Sequence, residues 1–333
     1  MPRKAVIAAA IFICLTLAVT GRAVWGTSRL QQTGEFGIAP GRSADSVWQQ
    51  LAAEGYTPTV WPWRYTGWRT GAAARLQSGT YKLTAGERVR DVIARFTGGD
   101  VTDTALSVTF PEGFTAEQIA ARTAAAGIGT PESYVAAATV GQWQDEFPFL
   151  ASVPAGQSLE GFLFPDTYRL AQDDMPADVI RRQLGVFQRR AVDSGLAAEA
   201  AARGRSLAEW VTMASIVERE VISESDMAVV AGILWQRLDD GVGLAADATV
   251  RYAVGKWDGP LTVQDLAADS PYNTRRYRGL PPGPISNPGL RALTAAARPQ
   301  PSDFYYYLSA LDGQTIFSAT LEEHNANKVK YLQ

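Results

Sequence analysis

Apolar residues recur with a helical period in much of the chain, and this pattern predicts most of its elements. Two ranges with this period predict helices, 117–126 and 177–194. A clearer stretch starts with Ser206 and Glu209, which form a capping box directly before an apolar run. We therefore expect one helix that begins after Ser206 and ends near Ser223, and a second over roughly 227–238 that closes at Gly241.

A weak repeat of strand, glycine turn and helix occupies the first third of the chain. In each copy an apolar strand residue precedes a glycine by five positions, and an apolar helix residue follows that glycine by six. The three copies are Phe36, Gly41 and Val47; Tyr81, Gly86 and Val92; and Val108, Gly113 and Ile119. Any strand–turn–helix unit needs such a glycine and an apolar helix face, which is one explanation. The rhythm is also similar to that of LysM carbohydrate-binding modules, which is the other.

An aromatic segment lies between the first two copies of this repeat. Residues 57–75 contain three tryptophans and a tyrosine, namely Trp61, Trp63, Trp68 and Tyr65. Aromatic rings stack on sugar faces, but rings at this density are more often the core and rim of a small domain. After it, the glycines and acidic residues of 98–103 predict a linker.

A continuous apolar run, 5–20, follows Arg3 and Lys4 at the amino terminus. The run is slightly short for a hydrocarbon core of roughly 30 Å, but Arg22 can snorkel and Trp25 can lie at the far interface. We interpret it as an uncleaved transmembrane anchor, with a cleaved signal peptide as the alternative. In both cases the positive amino-terminal side predicts that the rest of the chain lies outside the cytoplasm; the family resemblance described below implies that this is the periplasmic side of a bacterial inner membrane.

Composition narrows the chemistry that this chain can perform. With 46% hydrophobic and 20% charged residues and a net charge of -3, it is neither a disordered acidic tail nor a basic nucleic-acid binder. It has one cysteine, Cys14, and one histidine, His324, which excludes disulfide scaffolds, Cys/His zinc sites and almost any Ser-His-Asp triad. We expect His324 to cap or pack the last helix, and we expect carboxylates to transfer protons in any reaction.

Glu218 is the carboxylate with the strongest chemical signal. It shares one face of the predicted helix with Val211, Ala214, Ser215, Val221 and Ile222. Partial desolvation on this face and the negative end of the helix dipole both raise the pKa of a carboxyl, toward the protonated form that a general acid needs. Glu220 points about 160° away around the helix. The alternative is a structural carboxyl paired with an arginine such as Arg251 or Arg275.

Five blocks of sequence, in this order, closely resemble those of the endolytic murein transglycosylase (YceG-like) family. The blocks are 159–168, 213–220, 247–252, 270–274 and 279–289. The resemblance covers nearly the whole chain, and it departs from the family pattern at Ala248, where proline is usual. It implies an α+β fold with three parts: a single transmembrane anchor over 1–25, a small LysM-like βα module over 26–104, and a mixed catalytic domain over 105–333.

The resemblance also implies an activity. It implies cleavage of peptidoglycan between N-acetylmuramic acid and N-acetylglucosamine, leaving a 1,6-anhydromuramoyl end, with Glu218 at the position of the catalytic glutamate. One carboxyl can suffice because the muramoyl C6 hydroxyl attacks its own anomeric carbon in place of water. No metal or cofactor is required. The implied partners are peptidoglycan glycan strands and membrane-bound peptidoglycan synthases, with no role for nucleic acid.

The supporting residues are open to two interpretations. A sugar cleft needs aromatic platforms and a few fixed polar groups, and the candidates are Glu160, Phe162, Phe164, Asp166, Tyr272 and Asn273. Equally, the segment 160–168 can be a buried strand and turn in which Glu160 accepts hydrogen bonds from backbone donors. The proline-rich loop 279–289 is too restricted to be a mobile lid, so we expect it to form a cleft wall.

Two other functions remain as alternatives to the transglycosylase activity. The first is a water-using muramidase, for which Glu160, Asp166 or Asp247 would serve as second carboxylate. The second is a non-catalytic peptidoglycan-binding or scaffold protein, in which Glu218 is only a structural charge.

Overall fold

A computed structural model describes residues 29–100, 106–171, 173–221, 223–311 and 313–332. The chain divides into two compact units between residues 104 and 105. The predicted anchor over 1–25 lies outside the described residues. Within the described ranges, no helix combines the length and the apolar character needed to cross a membrane.

The first unit packs three helices on a two-stranded antiparallel sheet. Its elements are β1 (Gly34–Ile38), α1 (Ala44–Ala53), α2 (Trp61–Thr70), β2 (Gly79–Leu83) and α3 (Val89–Gly98). Phe36 of β1 lies opposite Tyr81 of β2, and both side chains are fully buried beside Phe96. The first two copies of the predicted repeat are therefore strands followed by helices, as expected.

Helix α2 accounts for the aromatic segment. Trp63 is fully buried and its ring lies 5.5 Å from that of Trp48, so it is part of the core. Trp61 and Trp68 are instead 68% and 78% exposed, with Tyr65 between them. One ring of the segment therefore packs, while the others face solvent.

The second unit is mostly helical, with two small antiparallel sheets. Its strands are β3 (Leu106–Thr109), which pairs with β4 (Thr167–Leu170), and β5 (Tyr306–Ser309), which pairs with β6 (Thr315–Ser318). Its α-helices are α4 (Ala116–Ala125), α5 (Pro131–Ala137), α6 (Pro176–Phe187), α7 (Leu196–Ala202), α8 (Leu207–Glu220), α9 (Glu224–Asp239), α10 (Asp247–Val254), α11 (Val263–Leu266), α12 (Leu290–Ala297) and α13 (Leu321–Tyr331). The mixed α+β class is thereby confirmed.

Helix α8 is the centre of this unit. Its residues 210–217 are all buried, and α12 and α9 pack against it. The Trp210 indole donates a 2.9 Å hydrogen bond to the carbonyl of Leu293 in α12, and the Trp235 indole of α9 donates a 3.0 Å bond to Ala296. Because buried indole N–H groups need acceptors, these bonds fix how the helices pack.

The predicted helix boundaries are close to those observed. The capping box of Ser206 and Glu209 is present at the start of α8. The helix ends at Glu220, three residues before the expected end, and the next begins at Glu224 rather than near Met227. Over 177–194 the predicted single helix divides into α6 and a π-helical turn, Gln188–Val192.

Candidate active site

Glu218 lies in the last turn of α8, at the point where the buried helix reaches the surface. Its Oε2 accepts a 2.9 Å hydrogen bond from the backbone N–H of Gly289, the residue that caps the start of α12. Burial, with a smaller contribution from the charge of Glu112, raises the pKa of Glu218 to about 7 against the lowering effect of the Gly289 N–H. Such a carboxyl is partly protonated at neutral pH and can act as acid and then as base.

The charges of Glu112 and Arg291 act on Glu218, and the sequence analysis did not single out either residue. A Cβ at position 289 would overlap the carboxylate of Glu112, so this carboxylate and that of Glu218 both contact Gly289. Arg291 forms a 2.9 Å ion pair with Glu112. Glu112 is far from Glu218 in sequence and belongs to no pattern shared with it, so only the fold could identify it.

Arg219, the residue after Glu218 in α8, packs on the ring of Trp257. The Arg219 guanidinium lies 4.2 Å from the centre of the Trp257 ring and donates a 3.3 Å hydrogen bond to the carbonyl of Gly113. A Cβ at Gly113 would lie 3.6 Å from Cγ of Glu218, so the turn after β3 passes close to the carboxyl. The site is therefore built from α8, this turn and the loop that enters α12.

The arginines considered as structural partners of Glu218 are engaged elsewhere. Arg251 donates to the carbonyls of Lys256 and Gly259, and Arg275 forms a 2.6 Å ion pair with Asp247. Within the described part of the chain, Glu218 has no ion pair at all.

The buried side chain of Glu160 joins three segments of the chain through hydrogen bonds. Both of its carboxyl oxygens accept the N–H of Ala116 at 3.0 Å, and Oε1 also accepts a 2.7 Å bond from the Asn287 amide. Asn287 in turn accepts the N–H groups of Gly161 and Leu163. Burial raises the pKa of Glu160 to about 8. This geometry supports the interpretation in which Glu160 accepts hydrogen bonds from backbone donors.

Phe162, Phe164 and Asn273 are buried. The Phe162 ring packs 5.4 Å from that of Phe187, and the Arg190 guanidinium lies over Phe164. The Asn273 amide donates to the carbonyls of Leu266 and Ala268, which holds its own loop together. Each of these side chains has a packing or loop-forming role, and its contact with a glycan stays a prediction.

Asp166 and Tyr272 are more accessible. Asp166 accepts the N–H of Thr167 and pairs with Arg190 at 3.4 Å. Tyr272 is half-buried, with its ring 4.9 Å from that of Tyr252. The carboxylates considered for a water-using reaction are thus engaged with other residues, and Glu112 is the acidic residue that acts on Glu218.

Comparison with known proteins agrees with this picture. The model of the YceG-like family matches residues 36–330. The chain belongs to this family. A crystal structure of a YceG-like protein from Listeria monocytogenes has a TM-score of 0.62 and 27% identity, covering 90% of this chain and 100% of that one.

Named members of the family are also similar in sequence. The endolytic murein transglycosylase of Bacillus subtilis (strain 168) is 32% identical over 269 residues, which is 78% of this chain and 74% of that protein. The protein of the same name from Streptococcus pneumoniae serotype 2 (strain D39) is 27% identical over 282 residues, or 77% of this chain. The chain spans about half of the pneumococcal relative's length, 51%.

Proposed function

We propose that this YceG-like protein is an endolytic murein transglycosylase that cleaves the β-1,4 bond between N-acetylmuramic acid and N-acetylglucosamine. The observation that carries this proposal is the environment of Glu218: one half-buried carboxyl of raised pKa, oriented by the Gly289 N–H, in a family whose named members have this activity.

In the proposed reaction Glu218 acts twice. Its protonated carboxyl donates a proton to the glycosidic oxygen as the bond to the muramoyl anomeric carbon breaks. The C6 hydroxyl of the same sugar then bonds to that carbon, and its proton returns to Glu218. The carboxyl is therefore regenerated, and the products are a 1,6-anhydromuramoyl end and a free N-acetylglucosamine end. Because the attack is intramolecular, positioning of the sugar replaces a bound nucleophile.

A water-using muramidase is the second candidate, and the position of Glu112 favours it. A carboxylate beside the general acid could activate water, although Arg291 already pairs with this one. The two reactions leave different ends on the muramoyl sugar, so the products distinguish them.

The test is mass spectrometry of the products that purified protein releases from isolated glycan strands. We expect anhydromuramoyl ends. E218Q keeps the size of the side chain but removes the transferable proton, so turnover should fall by a factor of roughly 10² to 10⁴ with a melting temperature no lower than that of the wild type. E209Q, in the first turn of the same helix, is the control. Near-normal turnover by E218Q contradicts the mechanism, reducing ends support the muramidase, and no products from the wild type support a scaffold.

We further propose that the enzyme is bound to the membrane and acts on newly made glycan strands, on the basis of its first unit and its amino-terminal sequence. We propose that residues 26–104 form a LysM-like module in which the exposed Trp61 and Trp68 offer stacking surfaces for sugar rings. Retention of 1–25 as an anchor would hold the catalytic domain outside the cytoplasm, in the same layer as membrane-bound synthases, and raise its effective concentration there. Intact-mass measurement of the mature protein tests the anchor, because a start near Gly21 or Val24 would contradict it.

A further inference from the structure

A cavity lies beside the end of α8, next to Glu220. Its volume is about 390 Å³, within the range of about 300–1,000 Å³ that is usual for small-molecule sites. Glu220 lines it, whereas Glu218 points about 160° away around the same helix. The other walls come from α9, β5 and α13, so the cavity belongs to the second unit and is separate from the Glu218 carboxyl.

Arg237 of α9 brings a partly buried cation to this cavity. Its guanidinium donates a hydrogen bond to the Gly243 carbonyl and lies over the Tyr306 ring, 5.7 Å from the ring centre. Its Nε is buried and has no hydrogen-bond partner. None of the ion pairs among the described residues includes Arg237. A buried donor without an acceptor is costly, which suggests that a ligand supplies one.

His324 of α13 presents a second buried nitrogen without a partner. The residue is 9% exposed, its ring stacks on Tyr306 at 5.2 Å, and its Nδ1 has no hydrogen-bond partner. Nδ1 can donate in the appropriate tautomer. Arg237 and His324 therefore both contact Tyr306 and both line the same cavity.

The remaining charges of the cavity favour an anionic ligand. Arg275 and Asp247 neutralise each other in a 2.6 Å ion pair. The Glu220 carboxyl accepts 3.2 Å bonds from the Ala248 N–H and the Tyr307 hydroxyl. Arg237 is left with no carboxylate partner, and the exposed Lys328 of α13 adds positive charge.

We propose that this cavity binds the free carboxylate of a short peptide, with Arg237 and His324 as donors and Lys328 as an accessory cation. The identity of the peptide rests on the proposed function: the peptide stems of murein end in carboxylates. An extended peptide spans about 3.3–3.6 Å per residue, so a stem of four or five residues reaches about 13–18 Å, which exceeds the diameter of about 10–12 Å of a helix such as α8. The cavity would then select strands whose stems are present.

The experiment titrates the full-length protein with N-acetyl-D-alanyl-D-alanine and with its carboxyl-terminal amide. We expect the acid to bind at least about tenfold more tightly, because a charged acceptor strengthens the bonds from Arg237 and His324. R237Q and H324Q should each weaken binding of the acid by about tenfold or more. K328Q should weaken it less, and K330Q, which changes a lysine on the same helix that does not line the cavity, should not.

Kinetics on two substrates identify the source of the carboxylate. For strands that carry peptide stems, R237Q and K328Q should raise KM, while turnover of strands freed of peptides stays unchanged. If the acid binds as expected but KM does not change, the cavity takes a free peptide and the strand-bound source is wrong. Equal binding of acid and amide, or binding by H324Q and K328Q equal to wild type, overturns the proposal. Failure of the proposed function is recognised separately, by turnover that E218Q does not reduce.

Discussion

Among single residues, Glu218 shows how burial prepares a carboxyl for proton transfer. Its helix neighbours are apolar and buried, and the described hydrogen bond to the side chain comes from one backbone N–H, that of Gly289. One donor does not offset the lost hydration, so the neutral form is favoured. The hydrogen bond also orients the carboxyl, which matters because in the proposed reaction the same group serves as acid and base.

The first prediction concerns the pH dependence of activity. Because the general acid must be protonated at the start, kcat/KM should fall as pH rises through about 7. The Glu112 charge raises the pKa of Glu218, so E112Q should move this decline to lower pH; Arg291 lowers that pKa, so R291Q should move it to higher pH. Product formation measured between about pH 5 and pH 9 checks this. A flat profile, or equal shifts in both variants, would show that another group is the acid.

Among the elements, α9 depends on a glycine for its packing. Gly232 lies in the middle of this helix, and a Cβ there would overlap the backbone carbonyl of Gln300. The Gln300 N–H also donates a 2.8 Å bond to the Ala228 carbonyl, which holds this backbone against the helix. Both sides of this contact are backbone, of Gly232 and of Gln300. A rotamer change therefore cannot make room for an added methyl group.

The second prediction follows from this contact. G232A should lower the free energy of unfolding by about 1–3 kcal/mol, because overpacking forces the backbone to shift. The matched control is G185A in α6, where the added Cβ would meet only the end of the Arg189 side chain at 3.4 Å. There the change should be neutral or should stabilise by up to about 1 kcal/mol. Urea denaturation of both variants checks this, and an equal effect of the two substitutions contradicts it.

For the whole molecule, stability should depend on buried carboxyls whose pKa values are raised. Burial raises the pKa of Glu160 to about 8, and it also raises that of Glu220. In the unfolded chain a glutamate loses its proton near pH 4.5. Between these values the folded protein binds more protons than the unfolded chain, so stability from this source is present at low pH and is lost as pH rises.

The third prediction isolates Glu160. The amide of E160Q does not ionise, so the variant should gain stability relative to the wild type as pH rises from about 4.5 to about 8. The difference should grow by up to about 1.4 kcal/mol per pH unit, the value for one proton. Thermal unfolding of both proteins at a series of pH values measures it. Parallel profiles would mean that Glu160 titrates alike in the folded and unfolded states.

Local patterns were enough to predict the helix that carries Glu218 and the short strands of the first unit. A capping box and a helical period act between residues three or four positions apart, so they can be read directly from the chain. The burial of Glu218 followed from the same period, because an apolar face must pack against something. The interpretation of Glu160 as an acceptor for backbone donors was also available from its apolar surroundings.

The partners of these residues depended on contacts between distant parts of the chain. Gly289 is 71 positions from Glu218, and no period or cap connects the two. The same holds for Glu112 beside Gly289, and for Arg237 and His324 around Tyr306. Such contacts arise when helices and loops pack, and packing is selected by the shape and burial of whole surfaces rather than by local spacing. The sequence therefore pointed to Glu218 as the proposed proton donor, and the folded molecule identified the groups that set its pKa and the cavity lined by Glu220.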